Sequence, residues 1–124
     1  MQTILIADDS STARMIIRRC LEIAGCSESR FLEAANGEEA LAIIQKENID
    51  LLVTDLNMPV MDGLKLVSLV RQNAQLKNIP IIIITTEGAE EDRERGLALG
   101  ANAYISKPIQ SSHLIKTISE LLSV

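Results

Sequence analysis

The sequence predicts an α/β fold: an open parallel sheet with helices on both of its faces. Three observations carry this. Short apolar runs bounded by polar or turn residues recur along the 124-residue chain. Segments with helical spacing of apolar residues separate them. The two kinds alternate, strand then helix, five times over, and such alternation implies parallel strands joined by right-handed crossovers.

The elements follow in order. "TILIA" (3–7), "LLVT" (51–54) and "IIIIT" (81–85) are short and rich in Ile, Leu and Val, as strands buried on both faces are. "RFLEA" (30–34) is a weaker strand pattern, and "AYIS" (103–106) is a short one that follows Gly100 and Asn102. The first helix, "SSTARMIIRRCLEIAG", has apolar positions at Met15, Ile16, Cys20, Leu21, Ile23 and Ala24. Ser10 or Ser11 caps it and Gly25 stops it. "NGEEALAIIQKEN" opens on Asn36 as a cap, with acids in its first turn. "DGLKLVSLVRQNA" opens at Asp62, "AEEDRERGLALG" closes with Gly100, and "SSHLIKTISELL" opens at Ser111 or Ser112. With no long linker, low-complexity segment or internal repeat, residues 1–124 read as one domain.

Composition removes several functions. A formal net charge of -5 argues against a nucleic-acid surface, which needs a basic patch. No run approaches the roughly 18 apolar residues of a membrane span. "MQTILIADDS" lacks the flanks of a signal peptide, so a cytoplasmic protein is expected, and a monomer is the simplest expectation at this size. Cys20 and Cys26 form neither a CxxC pair nor a Cys/His cluster and read as small apolar residues in or beside a helix. His113 is alone, which argues against a histidine metal site. One Tyr, one Phe and no Trp leave little to stack bases or sugars on.

The polar residues that end the strands are more informative. The first strand ends at Asp8-Asp9, the third at Asp55, the fourth at Thr85-Thr86 and the fifth at Lys107-Pro108. In an open parallel sheet these ends share one edge, where ligands bind. Three carboxylates, a hydroxyl and an ammonium should therefore meet. Clustered carboxylates repel one another unless a cation sits among them. Hard oxygen ligands without His or Cys suit Mg²⁺, with Mn²⁺ as the alternative. Lys107 suits an anionic group, and Thr85 supplies a hydroxyl. A carboxylate beside a metal and an ammonium can attack phosphorus to give an aspartyl phosphate. Singly, each residue has a plainer reading. Asp8 or Asp9 caps the first helix, Asp62-Gly63 makes a turn and a cap, Thr85 is a β-branched strand residue, and Lys107 is a solvated lysine. Agreement among four strand ends outweighs them.

"ADDS", "TDLNMPVMDG", "ITTEG" and "AYISKPI", in this order and spacing, resemble the receiver domain of two-component response regulators. The likeness is greatest to the stand-alone chemotaxis type and covers essentially the whole chain. It implies a flavodoxin-like sheet with strand order 2-1-3-4-5. It also implies roles: Asp55 as phosphoacceptor, Asp8 and Asp9 as metal-binding acids, and the backbone carbonyl of Asn57 as a further metal ligand. Lys107 would contact the phosphoryl group, Thr85 would swing toward it, and Tyr104 would turn inward in response. A cis Lys107-Pro108 bond would aim the lysine. Thr85 and Thr86 are adjacent, and the register from Lys107 favours Thr85. Asn57 and Glu87, each two positions beyond a site residue, would tune phosphate lifetime.

The function so implied is that of a single-domain response regulator in a chemotaxis-like system. A histidine kinase phosphorylates Asp55 with Mg²⁺, and the protein assists its own phosphorylation and dephosphorylation without being an enzyme for other substrates. The loop 85–92, loosened by Gly88, would move, and the fourth helix, fifth strand and fifth helix would present Tyr104 to a downstream effector. The alternative is a relay that passes phosphate to a phosphotransfer histidine. Met15 and Ile16 either dock the histidine-bearing partner or pack in the core. The fourth helix departs from motor-binding regulators: "AEEDRER" is acid-rich where they often carry lysines. A flavodoxin-type FMN binder is disfavoured, because the two acids after the first strand would repel a phosphate lacking a metal. A dehalogenase-type phosphatase needs a second acid where Asn57 stands. A degenerate interaction module would not need the full acid, threonine and lysine set.

Overall fold

Period-two alternation along the strands divides the core into two layers, one on each face of the sheet. The computed structural model describes residues 2–86 and 90–122. Its strands are β1 (Thr3–Ala7), β2 (Arg30–Ala34), β3 (Leu51–Thr54), β4 (Ile81–Thr86) and β5 (Ala103–Lys107). Its helices are α1 (Ser11–Leu21), α2 (Gly37–Lys46), α3 (Gly63–Gln72), α4 (Glu90–Ala98) and α5 (Ser111–Leu122). All strand pairs are parallel, in the flavodoxin-like order β2-β1-β3-β4-β5.

Leu5, Ala7, Leu52, Ile81 and Ile83 face one layer, against Ala40 and Ile44 of α2 and Leu66, Val67 and Val70 of α3. Ile4, Ile6, Leu51, Val53, Ile82, Ile84 and Ile105 face the other, against Ile17 and Leu21 of α1 and Leu114 and Ile118 of α5. Each fully buried Ile or Leu contributes roughly 1.5–3 kcal/mol. β2 is an edge strand whose only partner is β1. Its residues 30–33 stay partly or wholly exposed, which explains why "RFLEA" lacks a strong apolar pattern.

The helix starts are set by side-chain caps. Ser10, rather than Ser11, caps α1 and accepts from Ala13 N–H at 3.1 Å. Asn36 accepts from Glu39 N–H at 2.8 Å, and Glu39 returns the contact to Ala35 N–H at 3.0 Å, a reciprocal arrangement that satisfies two otherwise unpaired donors. Asp62 accepts from Lys65 N–H at 2.8 Å and caps α3. α1 does not stop cleanly. It widens into a π-type turn over Glu22–Cys26, and Gly25 ends it at φ 111°.

α4 is seated unlike the others. From Glu91 to Ala98 its only buried residue is Gly96. A Cβ at Gly96 would come within 2.6 Å of Ile83 Cδ1, so the helix backbone lies directly on β4. Beyond its C-terminus, Arg71 of α3 donates to the Gly100 carbonyl at 2.9 Å, the Lys77 carbonyl at 3.0 Å and Asn102 Oδ1 at 2.9 Å. Burial lowers the pKa of that guanidinium from its usual value.

The β3–α3 loop contains a backbone outlier. Val60, 75% exposed, sits at φ 68°, where a non-glycine residue is disfavoured by roughly 1–3 kcal/mol. Asparagine tolerates that conformation better. Val60→Asn should therefore raise the unfolding free energy by about 1 kcal/mol in urea, and an unchanged midpoint would show that the φ is not strained.

Candidate functional site

The sheet register brings the acids together. Ala7 pairs with Thr54, so Asp8 and Asp55 leave neighbouring strands at the same level. The ladder still holds them there. Asp8 N–H donates to the Ala34 carbonyl at 3.0 Å and Asp55 N–H to the Ala7 carbonyl at 2.9 Å. Asp8 is 1% exposed and Asp55 7%, whereas Asp9 is exposed. Ligand oxygens from Asp8, Asp9 and Asp55 all lie within 4.8 Å of one another.

Lys107 reaches them from the end of β5. The Lys107-Pro108 peptide is cis. Lys107 Nζ lies 2.9 Å from Asp8 Oδ2 and 3.7 Å from Asp55 Oδ2. The remaining oxygens are oriented by the backbone: Asp8 Oδ1 accepts from Ser10 N–H at 3.0 Å and Asp55 Oδ1 from Leu56 N–H at 2.8 Å. Lys107 contacts two of the three clustered carboxylates, so acids outnumber the ammonium at a site of hard oxygen donors. That donor set and that charge fit a divalent cation such as Mg²⁺.

Thr85 is 2% exposed, and its hydroxyl has no hydrogen-bond partner among the described residues. A buried hydroxyl left so costs roughly 1–3 kcal/mol. The expected reason for choosing Thr85 over Thr86 needs correcting. The register pairs Lys107 with Thr86, and Thr85 with Ser106. Burial, not register, singles out Thr85, because Thr86 is exposed. Tyr104 pairs with Ile83 in register and packs, partly buried, on the α2–α3 layer. Asn57 is exposed beyond β3. Glu87 and Gly88 lie outside the described residues. Met15 is 64% exposed and Ile16 51%, so these two do not pack in the core.

Gly63 is a participant that the motif alone did not reveal. A Cβ there would overlap the Asp55 carbonyl oxygen and come within 2.9 Å of Leu56 Cα. The start of α3 thus lies directly against the Asp55 peptide. Gly63 N–H also donates to the Leu56 carbonyl at 2.8 Å.

Residues 4–119 match the family described as the response regulator receiver domain. The chain belongs to that family. This receiver domain is 40% identical over 120 residues to the chemotaxis protein CheY homolog of Campylobacter jejuni, covering 96% of this chain and 91% of that protein. It is 38% identical to chemotaxis protein CheY4 of Vibrio cholerae, whose solved structure has a TM-score of 0.84 and 98% coverage of both chains. The receiver domain of sensor histidine kinase PA1611 from Pseudomonas aeruginosa, solved with a magnesium ion coordinated in its active-site cleft, is 26% identical. Its TM-score is 0.85, with 99% of this chain and 95% of that chain covered. CheY-like receiver domains are phosphoacceptor signalling switches, and this receiver domain is of that class.

Proposed function

We propose that this protein is a single-domain response regulator in a chemotaxis-like two-component system, phosphorylated on Asp55 by a histidine kinase. The observation that carries the reading is the meeting of three acids and Lys107 at the ends of their strands, with Thr85 at the end of the neighbouring β4 holding a buried hydroxyl that has no partner among the described residues. Asp8, Asp9 and Asp55, with the backbone carbonyl of Asn57, would hold Mg²⁺ or Mn²⁺, which would neutralise charge on the transferring phosphoryl group.

The chain's own groups divide the remaining work. Leu56 N–H occupies Asp55 Oδ1, which leaves Oδ2, on the Lys107 side, as the attacking oxygen. A bond forms from Oδ2 to phosphorus, the phosphorus–nitrogen bond to the kinase histidine breaks, and that nitrogen keeps the electron pair. Lys107 shifts from Asp8 toward the phosphoryl oxygens. The Thr85 hydroxyl gains its missing partner by donating to one of them. Each ligand bond made only in the phosphorylated state moves the conformational equilibrium that way. Thr85 lies on β4, next to the strand that carries Tyr104, so the change is read on the surface of α4, β5 and α5 by a downstream effector. Asn57 and Glu87 would set the lifetime of the phosphate.

A relay to a phosphotransfer histidine is the second reading, and the exposure of α1 supports it. Ala13, Ile16, Ile17 and Cys20 line an apolar cavity of about 270 Å³ with Pro108 and Ile109, beside Lys107. A histidine-bearing domain seated there would reach the acids whether it gives or takes phosphate. No helix among the described residues is long and apolar enough to cross a membrane, and the reading has the protein acting as a cytoplasmic monomer.

The test is amide NMR with Mg²⁺ and beryllofluoride. Metal-dependent shifts at Thr85, Tyr104 and Lys107 are expected. Mg²⁺ binding without them would leave an assembled site that does not switch, and no Mg²⁺ binding would remove the metal site. Thr85→Val should stabilise the unphosphorylated protein by about 1 kcal/mol, because it deletes an unpaired buried hydroxyl at constant shape. The same variant should lose the Tyr104 response to beryllofluoride; a full response would take Thr85 out of the switch.

A further inference from the structure

The turn between the two adjacent acids is held from behind by a side chain of α1. Arg14 Nη1 donates to the backbone carbonyl of Asp8 at 2.6 Å, and Arg14 Nε donates to Glu33 Oε1 at 2.7 Å. The arginine side chain is 17% exposed, so it is not an ordinary surface cation. Glu33 lies in β2 beside Ile6 of β1. Both backbone groups of Asp8 are thereby anchored on β2. The N–H bonds directly to Ala34, and the carbonyl is held through Arg14 and Glu33.

The consequence falls on Asp9. The Asp8 carbonyl and the Asp9 N–H share one planar peptide unit. Holding the oxygen fixes that plane, and the plane sets the direction in which the Asp9 side chain leaves. The Asp9 carboxylate is exposed and has no hydrogen bond or ion pair of its own among the described residues, yet one of its oxygens lies with those of Asp8 and Asp55. The backbone is what aims it.

We infer that Arg14 is a positioning residue for the divalent-cation site: by bridging the Asp8 carbonyl to Glu33, it sets the peptide plane that points Asp9 at Asp8 and Asp55. This rests on the reading of those three acids as cation ligands. Charge alone predicts the opposite sign. An arginine near a cation site repels the cation, so deleting it should tighten binding. Positioning predicts that deletion loosens binding, as loss of groups that orient metal ligands does, by roughly 10–100-fold.

The experiment follows Mg²⁺ titrations of the full chain by the amide signals of Asp9, Ser10 and Leu56. Arg14→Ala should raise the Kd for Mg²⁺ roughly 10–100-fold and shift the Asp9 amide before any metal is added. Arg14→Lys, which cannot bridge both partners, and Glu33→Gln should fall between it and wild type. With acetyl phosphate as donor, saturating Mg²⁺ should return Arg14→Ala to the wild-type maximal rate, a split that general destabilisation would not produce. Should Arg14→Ala not fold, Arg14→Lys and Glu33→Gln decide the matter by the same Kd. Unchanged or tighter Mg²⁺ binding in these variants overturns the inference while leaving the metal site intact. A wild type that binds no Mg²⁺ overturns both.

Discussion

Asp55→Asn should accept no phosphoryl group from acetyl phosphate, with the rate falling roughly a thousandfold or more, and should be the more stable protein when no metal is present. The first effect follows from chemistry, since an amide offers no anionic oxygen to attack phosphorus. The second follows from charge. Asp8 and Asp9 both repel Asp55, with ligand oxygens within 4.8 Å, and Lys107 attracts it from 3.7 Å. At an effective dielectric near 20, each such pair contributes roughly 3–4 kcal/mol. Two repulsions outweigh one attraction, and water screens the exposed Asp9, so the net relief is about 1 kcal/mol. The amide of the variant keeps an oxygen for Leu56 N–H, so the local hydrogen bond survives. Mg²⁺ should invert the order, because a ligand of the native state stabilises the protein that binds it better. Intact mass after acetyl phosphate treatment and urea melts with and without Mg²⁺ check both parts. A variant less stable without metal would mean that the Lys107 contact dominates.

Gly63→Ala should cost about 3 kcal/mol of stability, at the upper end for adding one methyl to a packed site. The added carbon would overlap the Asp55 carbonyl and crowd Leu56 Cα. Neither is the tip of a flexible side chain. β3 lies between β1 and β4 and cannot yield. α3 must move instead, which loosens Leu66, Val67 and Val70, all fully buried. Gly37→Ala is the instructive comparison. Its Cβ would meet the Met61 carbonyl at 2.6 Å and Met61 Cγ at 2.8 Å, but Met61 lies in the connection before α3 and not in a central strand, so a smaller loss of about 1 kcal/mol is expected. Urea titration of both variants separates the cases. A cost below 1 kcal/mol for Gly63→Ala would show that α3 slides freely over the Asp55 peptide.

Much of this was legible in the sequence, because strand ends in a parallel sheet share an edge whatever the register. Asp8, Asp55 and Lys107 could be brought together from chain order alone. Register itself is not written in short apolar runs such as "IIIIT", where one residue resembles the next. The difference between Thr85, which is buried, and Thr86, which is exposed, therefore could not be read from the run itself. Arg14 and Gly63 escaped for a different reason. Their roles depend on which backbone atom each touches, and those atoms are 6 to 8 residues away in the chain but share no pattern with them. The π-type turn after Leu21 escaped as well, since Gly25 signals a helix end without saying how the helix arrives there.

The loose seat of α4 has an energetic meaning. A helix whose only buried residue between 91 and 98 is a glycine has little fully buried apolar area to lose when it opens. Its amides should exchange with solvent through local openings well below the free energy of global unfolding, while β1 and β3, buried on both faces, exchange only when the whole sheet comes apart. The Arg71 strap would hold the end near Gly100 during such openings. One or two hydrogen bonds to a charged group, each roughly 1.5–3 kcal/mol, are enough to redirect an element held so lightly.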